Sequence, residues 1–270
     1  MQRDSIANTF IVAVSLCVVC AVLVSSAAVG LRTRQVENKK LDKQKNILLA
    51  AGLMEGQETS EEIEKTYDSR VKPLLINLDS GEVVEGEDPT SFDPIKDAKS
   101  GEDDLRIVLD EDPAGIKVRE NKEVIYEITD SSGNTQQYVF PIRGYGLWST
   151  LYGYIALDND METVNGISYY QHAETPGLGG EVDNPSWTAQ WKGKKIYDIK
   201  ESEGVPKRSV ELTVKKGNGM TDYEIDGLSG ASITGKGVEN MIKFWFGEKG
   251  YLPFIQNKVP TSGITGASLE

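Results

Sequence analysis

From Thr9 to Leu31 the chain runs for 23 residues without a charged side chain, rich in Val, Ala, Leu and Ile. As a helix such a run reaches ~35 Å, enough to cross a hydrocarbon core of ~30 Å. A membrane-crossing helix over residues 9–31 is therefore predicted, behind a short head of residues 1–8. A cleaved secretion signal is the competing reading, since Ser26-Ala27-Ala28 offers the small residues that a signal peptidase takes. The apolar run is about twice the usual length of a signal's hydrophobic region, which favours a retained anchor. The head carries only Arg3, partly offset by Asp4, whereas Arg32, Arg34, Lys39, Lys40, Lys43 and Lys45 follow the run. Counted alone, these positive charges put the rest of the chain in the cytoplasm.

Both cysteines, Cys17 and Cys20, fall inside the apolar run. One helical turn puts them on the same face, but no further Cys completes a metal or redox cluster. Small apolar side chains in a membrane helix account for them better. Charged residues make up 26% of the chain and leave a net charge of −13, which excludes a phosphate-tracking, nucleic-acid-binding surface.

Past the anchor, Arg34 to Leu53 predicts a juxtamembrane helix ended by Gly52 and Gly56. Thr59 to Leu78 predicts a second, opened by Thr59 and Glu62 in capping-box spacing. Gly81 to Asp104 is acidic, holds Pro89 and Pro94, and predicts an exposed loop. Short strands are then expected at Arg106–Leu109, Val124–Ile128, Tyr138–Ile142, Tyr152–Leu157, Val164–Tyr170, Lys195–Ile199 and Val210–Val214. A late helix from Gly237 to Phe246 carries Val238, Met241, Ile242, Trp245 and Phe246 on one stripe. Strands first and a helix late predict an α+β domain over residues 104–257, with an antiparallel-rich sheet, flanking helices and a tail at 258–270. Residues 32–103 would link it to the anchor.

Two segments carry the chemistry. His172-Ala173-Glu174-Thr175-Pro176-Gly177-Leu178-Gly179-Gly180 follows an expected strand, and its glycines let backbone approach a flat or phosphorylated ligand. A tight structural turn explains the same glycines equally well. Asp226-Gly227-Leu228-Ser229-Gly230-Ala231-Ser232-Ile233-Thr234 leads from a strand into the late helix. Hydroxyls and glycines ahead of a helix start make a phosphate seat, because free N–H groups and the helix dipole point there. An ordinary helix entry uses the same residue types.

Gly227-Leu228-Ser229-Gly230-Ala231 is close to a nucleophile elbow, but it has Ala at the last position. The one histidine, His172, precedes the serine and is too solitary for a hydrolase base or a zinc site.

Asp226-x-x-Ser229-Gly230-Ala231-Ser232 is similar to the motif to which flavin transferases attach FMN through a phosphoester. Glu174-Thr175-Pro176-Gly177-Leu178-Gly179 resembles the companion loop of the same FMN-binding domain. With the single anchor, Gly144-Tyr145-Gly146-Leu147-Trp148, Phe244-Trp245-Phe246-Gly247 and Tyr251-Leu252-Pro253-Phe254, nearly the whole chain resembles the C subunit of the sodium-translocating NADH:quinone reductase. The G subunit of the related Rnf complex shares the anchor, the loop and the flavin motif; the stretch from Glu181-Val182-Asp183-Asn184-Pro185 through Trp191 favours the quinone reductase. A non-redox, anchored binding module whose glycine loops hold a sugar or peptide is a third and more distant reading.

The resemblance implies a covalent FMN on Ser232, where this family more usually presents Thr. It implies that the Ser232 hydroxyl attacks the FMN phosphate of FAD on a metal-dependent transferase, releasing AMP. Glu174, Thr175, Gly177, Leu178 and Gly179 would lie along the flavin, together with Asp226, Ser229, Gly230, Ala231 and Thr234. Lys216 would be a positive neighbour, and Trp148 would either shield the ring or sit in the core. A second hydroxyl–Gly–Ala–hydroxyl run, Thr265-Gly266-Ala267-Ser268, has Ser262 where the motif needs Asp, which makes it a chance echo. The resemblance further implies an electron carrier in a bacterial inner-membrane complex. NADH oxidation, sodium passage and quinone reduction would belong to its partners in that complex. The flavin domain would face the periplasm, against the charge count.

Overall fold

The computed structural model describes residues 6–202, 205–217 and 221–260, so the tail hydroxyls of Ser262, Thr265 and Ser268 lie outside the described residues. The chain divides into two compact units, Met1–Lys43 and Gln44–Glu270.

Helix α1 (Ile6–Ala50) is the whole described part of the first unit, and its residues 44–50 belong to the second. Within the first unit its residues 6–43 span about 57 Å at 1.5 Å per residue. The anchor and the juxtamembrane helix expected separately are thus one helix, since no proline interrupts Leu31 to Ala50. The helix is long and apolar enough to cross a membrane, and Val and Leu side chains of its uncharged run, such as Leu16 and Leu23, are exposed. Gly52 ends it in the left-handed region (φ +65°). There Leu53 N donates to Leu48 O at 2.9 Å and Gly52 N to Leu49 O at 3.0 Å, the paired bonds of a Schellman cap.

The second unit is built on five antiparallel strands in the order β1-β4-β5-β6-β7. These are β1 (Val71–Asn77), β4 (Lys122–Thr129), β5 (Thr135–Tyr145), β6 (Thr150–Asp158) and β7 (Val164–Gln171). The strands expected at 124–128, 138–142, 152–157 and 164–170 all lie within them. The helix expected over Thr59–Leu78 is only its first half, α2 (Ser60–Arg70), opened by the Thr59–Glu62 capping box. Its second half is β1, whose Pro73 is accommodated because β1 is an edge strand. The acidic loop likewise holds a short helix, α3 (Pro94–Ser100), capped by Asp93.

The end of α1 covers one region of the sheet. Ile47 and Leu48 are fully buried, each contributing about 1.5–3 kcal/mol by burial. Ser168 Oγ donates to Asn46 O at 2.8 Å and Gln137 Nε2 to Ala51 O at 2.9 Å. The main core holds Phe140, Ile155, Val238, Met241, Phe246 and Phe254, from the sheet, from helices α5 (Ser232–Trp245) and α6 (Leu252–Lys258), and from the residue that ends α5. Trp245 Nε1 donates to Arg143 O at 2.7 Å, which pins α5 to β5.

Among the described residues the unit also holds a single helical turn, α4 (Pro185–Thr188), and three two-stranded pairs: β2 (Arg106–Val108) with β3 (Val118–Glu120), β8 (Tyr197–Ser202) with β9 (Val205–Val210), and β10 (Thr213–Lys215) with β11 (Glu224–Asp226). The strand expected at 195–199 therefore starts two residues later. The one expected at 210–214 is the end of β9, a break at Glu211-Leu212, and the start of β10. The fold is α+β, as expected.

Candidate functional site

Three connections build the site, and the first two meet the first turn of α5 at one carboxylate. The first, Gly146–Ser149, joins β5 to β6; the second, His172–Leu178, follows β7; the third, Gly227–Ala231, leads from β11 into α5. Glu174 is only 5% exposed. Its Oε1 accepts from the backbone N–H groups of Leu147 (3.1 Å), Trp148 (2.9 Å) and Ser149 (3.1 Å). Its Oε2 accepts from the Thr234 hydroxyl at 2.7 Å. Burial works to raise the Glu174 pKa, but the Thr234 hydroxyl and the three N–H groups outweigh it and hold the carboxyl below its ordinary value. Ser149 Oγ accepts from Ala173 N at 2.7 Å, a second tie between the first two connections.

The glycines of the second connection have different tasks. Gly177 sits at φ +75° with open space where a Cβ would stand, so backbone conformation and not crowding by protein selects it. Gly179 is the crowded one: a Cβ there would stand 2.6 Å from Thr234 Oγ1 and 2.7 Å from Glu174 Oε2. Thr175 O accepts from Leu178 N and Gly180 N at 3.1 and 2.9 Å, which closes the turn. In the third connection Ala231 N donates to Leu228 O at 3.1 Å, with Gly230 at φ +72° as that turn's third residue. A Cβ on Gly230 would stand 3.0 Å from Leu178 Cδ2, so the second and third connections are in contact.

Ser232 is the first residue of α5, five residues earlier than the sequence pattern placed the helix start. Its side chain is exposed, and Ala231 before it supplies no side-chain cap. The first-turn N–H groups therefore keep their capacity to bind an anion. Thr234, two residues on, is fully buried, and its hydroxyl is spent on Glu174. Ser229 and Gly230 are exposed and Ala231 is buried. Asp226 Oδ1 accepts from Gly217 N at 3.2 Å, and the Asp226 backbone is gripped by Trp187 Nε1 (2.9 Å, to its oxygen) and Gln190 Oε1 (3.1 Å, from its N–H). Lys216 is exposed just past β10, where its backbone runs beside Gly227. Trp148 is 66% exposed, which removes it from the core; Leu147, Leu178 and Ile233 are exposed too. Sequence reasoning missed Leu147, Ile233, Trp187 and Gln190. The first two were legible as apolar residues flanking glycine or serine, whereas nothing in the spacing marked Trp187 or Gln190.

An exposed hydroxyl on an uncapped helix start, beside exposed apolar and aromatic side chains, fits a phosphorylated planar ring such as FMN. Residues 146–247 match the family model of the FMN-binding domain, an interval that contains all three connections. The chain is 41% identical over 255 residues to the C subunit of the Na(+)-translocating NADH-quinone reductase of Yersinia pestis, covering 94% of each protein. It is 42% identical over 256 residues to the same component from Pseudomonas aeruginosa, covering 95% of this chain and 97% of the relative. The chain belongs to this C-subunit family. Solved structures of relatives agree with the fold. The NqrC crystal structure from Shewanella oneidensis superposes with a TM-score of 0.72 at 35% identity, over 82% of this chain and 98% of that one. The crystal structure of the corresponding reductase component from Parabacteroides distasonis gives 0.62 at 30% identity, over 83% and 96%. Among the readings open from sequence, these relatives favour the quinone reductase over the Rnf G subunit and over a non-redox module.

Proposed function

We propose that this chain is the flavin-carrying electron-transfer subunit of a membrane-bound, sodium-translocating NADH:quinone reductase, with FMN esterified to Ser232 and its domain on the periplasmic side of the inner membrane. The observation that carries the proposal is the contrast between two hydroxyls of one helical turn. Ser232 is exposed at the uncapped start of α5, whereas Thr234 is buried and bonded to Glu174. In the attachment step a bond forms between Ser232 Oγ and the FMN phosphorus of FAD. The phosphate–phosphate linkage of FAD breaks, AMP leaves, and the hydroxyl proton passes to the transferase. Bound FMN supplies the redox chemistry that side chains lack.

The residues of this chain hold and orient. The first-turn N–H groups of α5 would hold the phosphate charge, and exposed Lys216, whose backbone lies beside Gly227, would add positive charge near that connection. Leu147, Trp148, Leu178 and Ile233 offer apolar surface for the ring. Glu174, Thr175, Gly177 and Gly179 shape the second connection. Helix α1 anchors the domain, and the other subunits of the complex supply and withdraw electrons. Intact-mass measurement and peptide mapping of protein matured in a host with a flavin transferase test this. A mass increment of one FMN residue on the peptide bearing Ser232 is expected; an unmodified chain, or FMN on another peptide, overturns the reading.

A further inference from the structure

The Glu174 carboxylate does two jobs in one place. Three consecutive backbone N–H groups, from Leu147 to Ser149, converge on Oε1 and form a ready-made anion nest. Glu174 fills that nest from within the protein, so an incoming phosphate does not find it vacant. The second oxygen, Oε2, reaches across 60 residues of sequence to Thr234 at 2.7 Å. Thr234 lies two residues after Ser232, in the same first turn. The carboxylate therefore fastens the start of α5 to the β5–β6 connection that presents Leu147 and Trp148. Gly146 and Gly179 make room for it: a Cβ on either would stand 2.7 Å from a Glu174 carboxylate oxygen.

We propose that Glu174 and Thr234 are a positioning pair that fixes Ser232 relative to the ring-facing loop at Leu147–Trp148, and that the buried carboxylate keeps the flavin phosphate out of the loop nest and at the α5 start. The proposal rests on the reading that Ser232 carries the flavin. Neither side chain touches the phosphorus: Glu174 is sealed and Thr234 is fully buried. Their effect reaches Ser232 through the backbone of one turn.

The test uses the full-length chain, produced with a flavin transferase, as wild type, Thr234→Val, Thr234→Ser, Glu174→Gln and Ser232→Ala. Covalent flavin per protein is read on denaturing gels, the attached flavin by its absorption band and fluorescence anisotropy, and the fold of the flavin-free protein by circular dichroism. Thr234→Val keeps the side-chain shape but removes the hydroxyl from a charged acceptor, so attachment should fall by about tenfold while Thr234→Ser stays within about twofold of wild type. Flavin that still attaches to Thr234→Val should show lower anisotropy and a shifted band, because its tether is no longer held against the loop. Glu174→Gln keeps hydrogen-bonding groups without the charge and should lie between the two. Wild-type attachment and spectrum in Thr234→Val overturn the proposal, as does a loss that merely tracks an unfolded fraction and is not restored by Ser. Covalent flavin surviving in Ser232→Ala overturns both this proposal and the attachment site. Its loss there, with Thr234→Val unaffected, overturns the positioning role alone.

Discussion

Trp187 donates its indole N–H to the main-chain oxygen of Asp226 at 2.9 Å, from a single helical turn (Pro185–Thr188) that follows the glycine-rich connection. Gln190, three residues on, accepts from the N–H of the same aspartate. The segment that shapes one side of the site thereby also grips the strand leading to Ser232. Glu174 holds the far end of that approach through Thr234. The acceptor connection, Gly227–Ala231, is tied at both ends to one stretch of chain.

Trp187→Phe should expose what that grip contributes. The ring keeps its packing against Tyr169 and Trp191, while the Asp226 oxygen loses its partner. A loss of about 1–2 kcal/mol is expected, together with less covalent flavin. Urea unfolding of the flavin-free chain in detergent measures the first quantity. An unchanged midpoint with an unchanged slope would show that the bond contributes nothing.

Ser232 should be the sole acceptor. Ser232→Ala should abolish covalent flavin and Ser232→Thr should retain it, because the ester needs a side-chain hydroxyl in that place. Thr234 cannot substitute, being buried and already bonded to Glu174. Ser268→Ala should leave attachment intact. Peptide mapping of the four proteins decides it; flavin on the Ser268 peptide would sink the assignment.

The motif that carries this prediction is contiguous, and so it was legible. The strands β4 to β7 were legible for a similar reason, since their apolar and aromatic residues stand out locally between turn residues. Strand β1 was not, because its apolar run abuts a capped helix and contains Pro73, which only an edge position tolerates. The start of α5 was missed because Gly235 and Gly237 argue against helix when read locally. The reason for Gly237 is tertiary: a Cβ there would stand 2.4 Å from Tyr145 O. The Glu174–Thr234 bond spans 60 residues, and no local pattern announces it. The resemblance puts the backbone of Glu174 to Gly179 along the flavin, and says nothing of the Glu174 carboxylate, whose partners are all within the protein.

Gly177 and Gly179 should fail differently when substituted. Gly177→Val forces a β-branched residue to φ +75° and should cost about 1–3 kcal/mol through backbone strain. Gly179→Ala puts a methyl group against Thr234 and Glu174 and should loosen their bond. Thermal unfolding of the flavin-free protein should drop in both. Covalent flavin should fall further in Gly179→Ala, where a Cβ would stand 2.6 Å from Thr234 Oγ1, than in Gly177→Val, where a Cβ meets open space. Equal behaviour of the two variants would argue for one shared structural turn.

Sidedness has a direct measurement. Glu85 is exposed in the acidic loop, so Glu85→Cys, with Cys17 and Cys20 replaced by Ala, gives one labelling site. A periplasmic domain should react with a membrane-impermeant maleimide in intact cells whose outer membrane is made permeable. Reaction only after the cytoplasmic face is opened would vindicate the positive charges that follow the anchor.

The buried charges beneath α5 make a prediction about pH. Arg143 meets Glu120 through both guanidinium N–H ends in a fully desolvated pair, and Glu123 is 2% exposed nearby. Burial, then the negative charge of Glu120, pushes the Glu123 carboxyl well above its ordinary value of 4.5, with Arg143 only partly opposing. One arginine cannot neutralise two carboxylates, so the folded site favours the neutral form of Glu123. A raised folded pKa means that the stabilising contribution is complete below the unfolded value and is lost as pH rises through the folded one. Between those limits the loss approaches about 1.4 kcal/mol per pH unit. Glu123→Gln has no proton to lose, and its amide can still donate to Glu120. The difference in stability, variant minus wild type, should therefore grow in favour of the variant as pH rises above the ordinary carboxyl value. Subtraction cancels carboxylates common to both proteins, Glu174 among them. Urea midpoints at three pH values measure it. Parallel curves for the two proteins would mean that Glu123 ionises alike in the folded and unfolded chain, and that the buried cluster holds no proton.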